Sequence, residues 1–358
     1  MSVNEAVQQI IQKAVQGSFL EHLEMVQLLG VDDAGAEELF LAARTVRDRC
    51  FEKKIFMYGF VYFSTYCRNN CAFCFYRKSN EDSIRYSKEP TEIIETAEHL
   101  AKAGIHLVDL TMGEDPYYIN DLEGFKRLEK IITDVKIAAG LPVMISPGVL
   151  NEAMLHRLRQ IGVEWYACYQ ETHNREIFKK LRLGQSYDER MEAKAVAKKM
   201  GFLTEEGLLA GVGETDADIA DSMFAMRELQ VDQVRVMSFV PQKGTTMQDW
   251  DTPERKKELR IIALMRLLFP DRLIPASLDV DGIAGLKPRL DAGANVVTSI
   301  IPPLEGFAGV SQNTLDIDEG NRTVESAADI IRQCGLQPAT ASDYQTWVTE
   351  RLALCARQ

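Results

Sequence analysis

A buried strand that runs straight into a cysteine-rich loop is indicated by the stretch Ile55-Phe-Met-Tyr-Gly-Phe-Val-Tyr-Phe-Ser64, Thr65-Tyr-Cys67-Arg-Asn-Asn-Cys71-Ala-Phe-Cys74. Its first half is almost continuously apolar and rich in aromatic residues, which is typical of a strand buried on both faces of a parallel sheet. Its second half is the spacing C-x3-C-x2-C. The chain therefore predicts reactive thiols at the carboxyl end of a buried strand.

Short apolar runs and amphipathic stretches alternate on the carboxyl side of this segment. The predicted strands are Ile55–Ser64, His106–Met112, Val143–Ser146, Trp165–Tyr169, Thr204–Ala210, Gln233–Val240, Leu273–Leu278 and Asn295–Ile300. The helices predicted between them include Thr91–Ala103, Asn151–Gln160, Asp188–Met200, Asp216–Leu229 and Pro253–Phe269. Eight strands separated by helices predict an α/β fold, a (β/α)8 TIM-type barrel.

The regions outside this repeat divide the chain into three expected parts. Residues 1–50 are expected to form an N-terminal helical extension, 51–303 the barrel, and 304–358 a C-terminal cover with a last helix near Arg322–Cys334. An open doubly wound sheet is the alternative. Its dinucleotide fingerprint is missing, because Asp216 stands where the third glycine after Gly211 and Gly213 would fall.

Composition narrows the class of protein. The formal net charge is −12, which argues against a nucleic-acid partner, because binding phosphate relies on clustered Lys and Arg. No stretch has enough uninterrupted apolar residues to span a membrane. Seven cysteines, an odd number, and the lack of an N-terminal apolar run make a disulfide framework unexpected. We expect a cytoplasmic enzyme.

The three cysteines Cys67, Cys71 and Cys74 suit a soft metal or an iron–sulfur cluster. A structural zinc site or a ferredoxin cluster needs four ligands, and the next histidine is His99. Three thiolates on a [4Fe–4S] cluster leave one iron open to a ligand that is not protein. The alternative to a metal or cluster site is that the three cysteines are unrelated thiols of the core or redox-active thiols.

Charges within predicted strands indicate a binding pocket inside the barrel. Asp109 and Arg235 lie in mid-strand, and Ser277 and Asp279 share one face of the seventh strand. Buried charges are costly unless they are paired. An internal Arg235–Asp ion pair is one interpretation, and it leaves a second carboxylate over. The other is a ligand with one carboxylate and two amines, as in a diamino acid, with Arg235 taking the carboxylate.

With these residues in view, the chain resembles the biotin-synthase-like branch of the radical S-adenosylmethionine (SAM) enzymes. Within that branch it resembles the lysine mutases that make 3-methylornithine for pyrrolysine biosynthesis. The resemblance runs from about Leu39 to Ala341. It is densest in residues 62–67, 108–116, 144–148, 169–172, 180–186, 234–237, 273–279 and 297–300.

The resemblance implies two cofactors, a [4Fe–4S] cluster and SAM. It assigns Cys67, Cys71 and Cys74 to the cluster. It assigns the binding of SAM to Phe73, Gly113, Glu114, Glu171, Arg182 and Arg190. Met112 replaces the first glycine of the family's Gly-Gly-Glu motif, so only Gly113 and Glu114 carry over from it.

The resemblance also implies a substrate and a reaction. L-lysine would be held by Asp109, Arg235, Ser277 and Asp279, with Asp109 on the distal amine. An adenosyl radical would abstract hydrogen, and the lysine fragments would recombine as (3R)-3-methyl-D-ornithine. An external one-electron donor such as a flavodoxin or ferredoxin is expected.

Other functions stay open from sequence alone. Another biotin-synthase-like radical SAM enzyme, an amino-acid lyase or a hydrogenase-maturation enzyme, would keep the SAM residues but need not keep Asp109 and Asp279. Biotin synthase is disfavoured, because it needs a second cluster in the barrel and only Cys168 among the other cysteines falls on a predicted strand. An iron–sulfur electron carrier would have no use for a charged interior.

Overall fold

The computed structural model of the protein describes residues 3–303, 306–307, 309 and 321–355. The strands are β1 Lys54–Ser64, β2 Leu107–Met112, β3 Val143–Ser146, β4 Trp165–Ala167, β5 Leu203–Ala210, β6 Gln233–Ser238, β7 Pro275–Ser277, β8 Val296–Ile300 and β9 Gln337–Pro338. The helices are α1 Val3–Val15, α2 His22–Leu29, α3 Asp33–Phe51, α4 Pro90–Ala103, α5 Pro116–Asn120, α6 Leu122–Ala139, α7 Glu152–Gln160, α8 Arg175–Leu181, α9 Tyr187–Lys199, α10 Asp216–Glu228, α11 Arg255–Leu268, α12 Leu286–Asp291, α13 Val324–Gln333 and α14 Ala341–Cys355.

The strands form one parallel sheet in the order β6-β5-β4-β3-β2-β1-β8-β7, with β9 added beside β1. A parallel bridge between Gln233 and Leu273 joins β6 to the chain just before β7, so the two ends of the sheet meet. The predicted (β/α)8 barrel is confirmed, and the open doubly wound sheet is wrong.

Helix α4 illustrates how the sequence fixes the ends of the elements. Glu89 and Glu92 form a capping box at its start, and Pro90 lies in the first turn, where its missing amide hydrogen costs nothing. Gly104 ends it in the left-handed conformation, with φ at 102°. The helix therefore begins and ends within a residue of its predicted bounds.

Several strands are shorter than predicted, and for β4 and β7 the reason is local. The ladder of β4 ends at Ala167, because the amide of Gln170 donates to the carboxylate of Glu206 instead of to a neighbouring strand. Regular β7 begins only at Pro275, which has no amide hydrogen to give to a ladder.

Helices from the two ends of the chain pack on the barrel. Helix α1 packs on α3, and α2 and α3 pack on α11, so the predicted N-terminal helices belong to the outer helical layer. Within the predicted cover, 304–358, residues 304–305, 308, 310–320 and 356–358 lie outside the described residues. Helix α13 matches the predicted last helix, but the prediction that it is the last is wrong, because α14 follows it.

Helix α14 closes the floor of the barrel, where the strands begin. Tyr344 shares a hydrogen bond of 2.8 Å with Tyr58 of β1, and Trp347 stacks on Trp165 with ring centroids 5.9 Å apart. The cysteine loop follows the end of β1 and so lies at the opposite, open end. Within the described part of the chain, none of the helices combines the length and the apolar character needed to cross a membrane.

Candidate active site

A cavity of about 1190 Å³, counted to its open mouth, occupies the carboxyl end of the barrel. This is the end at which TIM-type barrels carry their chemistry. The predicted site residues that line it are Cys67, Cys71, Phe73, Cys74, Asp109, Gly113, Glu114, Glu171, Arg182, Arg190, Arg235 and Asp279. The fold therefore brings these residues together around one cavity, although they come from separate stretches of the chain.

The cysteine loop is held in shape by one arginine that follows it. The guanidinium of Arg85 donates to the carbonyl oxygens of Thr65, Tyr76 and Arg77 at 2.5, 2.8 and 2.6 Å. A loop without regular secondary structure has no ladder to satisfy its carbonyls, and here a half-buried cation does so. The loop is thus held in shape by hydrogen bonds from within the protein.

Two thiols of this loop, those of Cys67 and Cys74, lie in surroundings that disfavour the thiolate. Burial raises the pKa of Cys67 to about 11, with a further contribution from Cys71, and it raises the pKa of Cys74 still more. Sγ of Cys71 accepts from Nε2 of Gln185 at 3.1 Å and from Nη1 of Arg182 at 3.6 Å. Among the described residues, no three His, Cys, Asp or Glu side chains meet closely enough to hold a single metal ion.

Glu114 lies beside the cysteine loop in space that glycines leave open. A side chain on Gly113 would place a Cβ 2.3 Å from the carbonyl oxygen of Tyr66, and one on Gly148, whose φ is +80°, would collide with Glu114 itself. Arg190 contacts the carboxylate of Glu114 at 2.6 Å, and both side chains are buried. Burial alone would raise the pKa of Glu114, but Arg190 and its other partners outweigh it and lower the pKa.

Glu171 and Arg182 form a second ion pair in the cavity wall. Their closest N–O distance is 2.7 Å, and Arg182 also lies over the ring of Phe73, 5.5 Å from its centroid. Glu171 has a φ of +68°, an uncommon conformation for a residue with a side chain. It is held there by backbone hydrogen bonds on both sides, to Gly207 and from Leu209, each 3.0 Å long.

Asp109 lies deeper, on β2, and faces the cavity. Its Oδ1 accepts from the hydroxyls of Thr111 and Ser146, each at 3.0 Å. Its Oδ2 is buried and has no hydrogen-bond partner among the described residues. Burial, and then the nearby carboxylate of Glu205, raise the pKa of Asp109 to about 7.

Arg235, on β6, is paired with a residue that the sequence analysis did not single out. Its Nε lies 2.6 Å from Oε1 of Glu205, and its Nη1 donates to the hydroxyl of Thr298 at 3.2 Å. The interpretation of an internal Arg235–Asp pair is therefore wrong, because the partner is a glutamate on the neighbouring strand β5. Nη2 of Arg235 has no partner among the described residues.

Asp279 is held by four side chains at the end of β7. Tyr62 and Ser299 donate to it at 2.8 Å each, and Arg322 donates to its Oδ1 at 3.2 Å. Ser277 is buried behind it, with its hydroxyl 3.4 Å from Oδ2, and is not among the residues that line the cavity. The structure thus groups Ser277 with Asp279 but not with the cavity surface.

Two charged residues of this site were missed from sequence. Glu205 lies in a predicted strand whose sequence, Leu203-Thr-Glu-Glu-Gly207, carried the same signal as Asp109, a charge inside an apolar run. Arg322 carried no comparable signal, because the sequence before it is polar and shows no strand pattern, and it reaches Asp279 only through the fold.

Comparison with known proteins agrees with this geometry. Residues 61–226 match the family model described as the radical SAM superfamily. The chain is 44% identical over 337 residues to a 3-methylornithine synthase of Methanosarcina barkeri, covering 93% of this chain and 94% of that one. It is 41% identical over 336 residues to the enzyme of that name from Methanosarcina acetivorans, covering 94% and 95%.

A solved structure described as methylornithine synthase (PylB) superimposes with a TM-score of 0.89 at 42% identity. The match covers 94% of this chain and 99% of that one. Sequence and fold agree over nearly the whole length of both proteins, and the superfamily model matches residues 61–226 within that length. The chain therefore belongs to the 3-methylornithine synthase family of radical SAM enzymes.

Proposed function

We propose that the protein isomerises L-lysine to (3R)-3-methyl-D-ornithine, with a [4Fe–4S] cluster and SAM as cofactors. The observation that carries the proposal is one cavity with two chemically distinct ends. Three cysteines and two arginine–carboxylate pairs surround its mouth, and Asp109, Arg235 and Asp279 line its interior. A diamino acid bound in that interior would lie next to the cofactors bound at the mouth.

The residues at the mouth fit the two cofactors. Three cysteines on one loop, all lining the cavity, can bind cations as thiolates, as in a cluster of irons. Arg182 and Arg190 line the cavity, and each has a buried Nε without a partner among the described residues. The wall therefore keeps donors for the polar groups of SAM. When bound, the two cofactors supply a 5′-deoxyadenosyl radical that removes hydrogen from the substrate.

The protein's own contribution is to bind the cluster and SAM and to hold SAM in one orientation. Cys67, Cys71 and Cys74 would hold the cluster. The SAM-binding residues would be Phe73, Gly113, Glu114, Glu171, Arg182 and Arg190. Their pre-formed ion pairs fix the carboxylates and guanidinium groups before SAM arrives, so little ordering is left to be done on binding.

The interior matches lysine in charge. Asp109, Glu205 and Asp279 carry three negative charges, and Arg235 and Arg322 carry two positive ones, so the set has one negative charge in excess. Lysine with one carboxylate and two ammonium groups has one positive charge in excess. We assign the distal ammonium to Oδ2 of Asp109 and the carboxylate to Nη2 of Arg235, because each of these buried atoms has no hydrogen-bond partner among the described residues.

Asp279 would take the α-ammonium, with Ser277 supporting it from behind. Ionic anchors at both ends of the substrate matter for this reaction, because the two fragments must stay in place until they recombine. A one-electron donor such as a flavodoxin or ferredoxin would supply the electron, and we place the enzyme in the cytoplasm, where thiols stay reduced.

The test is an anaerobic incubation of reconstituted protein with SAM, dithionite and L-lysine, followed by chromatographic and mass-spectrometric separation of lysine from its isomer. We expect an isomer of unchanged mass that matches a 3-methylornithine standard. Cys71→Ala is the matched control for the cluster and Asp109→Asn for the substrate. Formation of a cleavage product in place of an isomer would contradict the proposal.

A further inference from the structure

Two opposite charges face the cavity without pairing with each other. Asp109 and Arg235 are both buried, and each has one polar atom, Oδ2 and Nη2, without a partner among the described residues. Both side chains line the same cavity, and the charge of Arg235 partly offsets the rise that burial causes in the pKa of Asp109. Among the described residues, the ion pair that Arg235 makes is with Glu205.

Attraction between a buried carboxylate and a flexible guanidinium is strong, because the interior screens charge poorly. A direct pair between Arg235 and Oδ2 of Asp109 would satisfy both unpaired atoms. Such a pair would also remove the two groups that the proposed function gives to the ends of lysine. Something in the structure must hold them apart.

Glu205 is in the right place to do so. In the β5–β6 register Gly207 lies opposite Arg235, and Glu205 is two residues earlier on the same face of β5. Its Oε1 holds Nε of Arg235 at 2.6 Å, and its Oε2 is itself fixed by the hydroxyl of Tyr169 at 2.8 Å. On the far side, Thr111 and Ser146 hold Asp109 by Oδ1, which leaves Oδ2 turned away from them.

We propose that Glu205 is a positioning residue that holds Arg235 away from Asp109, so that the free enzyme keeps a separate cation and a separate anion for its substrate. The inference rests on the proposed function, since it takes lysine to be the ligand that separates the charges. It also gives Glu205 a part in selectivity. A ligand that lacks either charge leaves one of the two buried groups unpaired, and Glu205 prevents the protein from repairing that by itself.

The experiment measures L-lysine binding by calorimetry to the cluster-loaded protein with SAM but without reductant, so that no turnover is needed. Glu205→Gln, Asp109→Asn and the double variant form a cycle. We expect Glu205→Gln to weaken lysine binding at least tenfold and to leave iron content and SAM affinity unchanged. In the Asp109→Asn background the same change should weaken binding less than threefold, because no carboxylate is left for Arg235 to join.

Additive losses in the cycle, or lysine binding unchanged in Glu205→Gln, would overturn the inference. If Glu205→Gln does not fold, Glu205→Asp keeps the charge but withdraws it by one methylene, and the same pattern is expected from it. Failure of the proposed function has a different signature, since the unmutated protein would then bind no lysine. Steady-state assays add a further readout, because a positioning role raises KM for lysine more than it lowers kcat.

Discussion

Arg190 of α9 reaches across the mouth of the barrel and contacts the carboxylate of Glu114 at 2.6 Å, so the end of β2 is fixed to a helix more than seventy residues away in the chain. Only 2% of the arginine side chain and 8% of the glutamate side chain are exposed. An intact buried ion pair adds little to the stability of the folded protein compared with a pair of apolar side chains in the same place. Breaking it is costly, because the remaining charge stays buried.

Arg190→Met should therefore destabilise the cluster-free protein by about 3–5 kcal/mol. The measurement is the free energy of unfolding in urea under anaerobic, reducing conditions. Arg332→Met is the matched control, because it removes the same group from the exposed pair with Asp329, whose side chain is 69% exposed. That variant should lose less than about 1 kcal/mol. Equal losses in the two variants would show that Arg190 stabilises nothing by its pairing.

Cluster binding should depend on the three cysteines of the loop and on no other described cysteine. Anaerobic reconstitution should load about four irons per chain, as expected for a [4Fe–4S] cluster. Cys67→Ala, Cys71→Ala and Cys74→Ala should each abolish it, and Cys334→Ala should not, since Cys334 lies at the end of α13. Iron and sulfide analysis and the absorption spectrum report the result. Full activity with zinc and no iron would refute the assignment.

Asp109→Asn should keep the cluster and SAM binding but weaken lysine binding by tenfold or more. The reason is the loss of a charge-assisted hydrogen bond at a buried site, worth about 1.5–3 kcal/mol. Norleucine, which lacks the distal amine, should bind the unmutated enzyme poorly and lose little in the variant. Asp109 is not the amine anchor if norleucine reacts as readily as lysine.

Arg235→Lys should also lose lysine binding, although it keeps the positive charge. Arg235 uses Nε for Glu205 and Nη1 for Thr298 and still has Nη2 for a ligand, whereas an ammonium cannot direct its donors to three separated acceptors. We expect the variant to lose lysine binding and to keep SAM binding. Equilibrium titrations with lysine and with SAM measure the two affinities. Normal lysine affinity in Arg235→Lys would mean that the carboxylate binds elsewhere.

The pH dependence of kcat/KM for lysine should show an acid limb near the pKa of Asp109, about 7. Below that pH the carboxyl group of the free enzyme is protonated and neutral, so it cannot attract an ammonium, and kcat/KM falls as the pH falls. Bound lysine lowers this pKa, so kcat should not show the limb near 7. The check is the pH profile of kcat/KM for Asp109→Asn, in which the acid limb should be absent. A limb that persists in that variant belongs to another group.

Sequence periodicity was enough to predict the barrel, because strands buried on both faces and the helices between them leave distinct patterns. Helix α14 was missed even though Tyr344, Trp347 and Val348 follow helical spacing. Its role in closing the floor depends on contacts with Tyr58 and Trp165, which lie far away in the chain.

Charges within apolar runs predicted which side chains face the inside of the barrel. They did not predict which residues pair with each other there. Asp109 and Arg235 were correctly predicted to face the interior, but the ion pair with Glu205 depends on the register between β5 and β6. Register is a property of the folded sheet. The contact of Arg322 with Asp279 depends on the path of the chain after β8 and has no local signature.

The closed floor has a consequence for biosynthesis. Because α14 lies beyond all eight barrel strands in the chain, the ribosome makes the whole sheet before it makes the helix that covers Tyr58 and Trp165. Until then the lower end of the barrel lacks the cover that Tyr344 and Trp347 give to Tyr58 and Trp165, so aromatic surface stays exposed there while the chain is still being made.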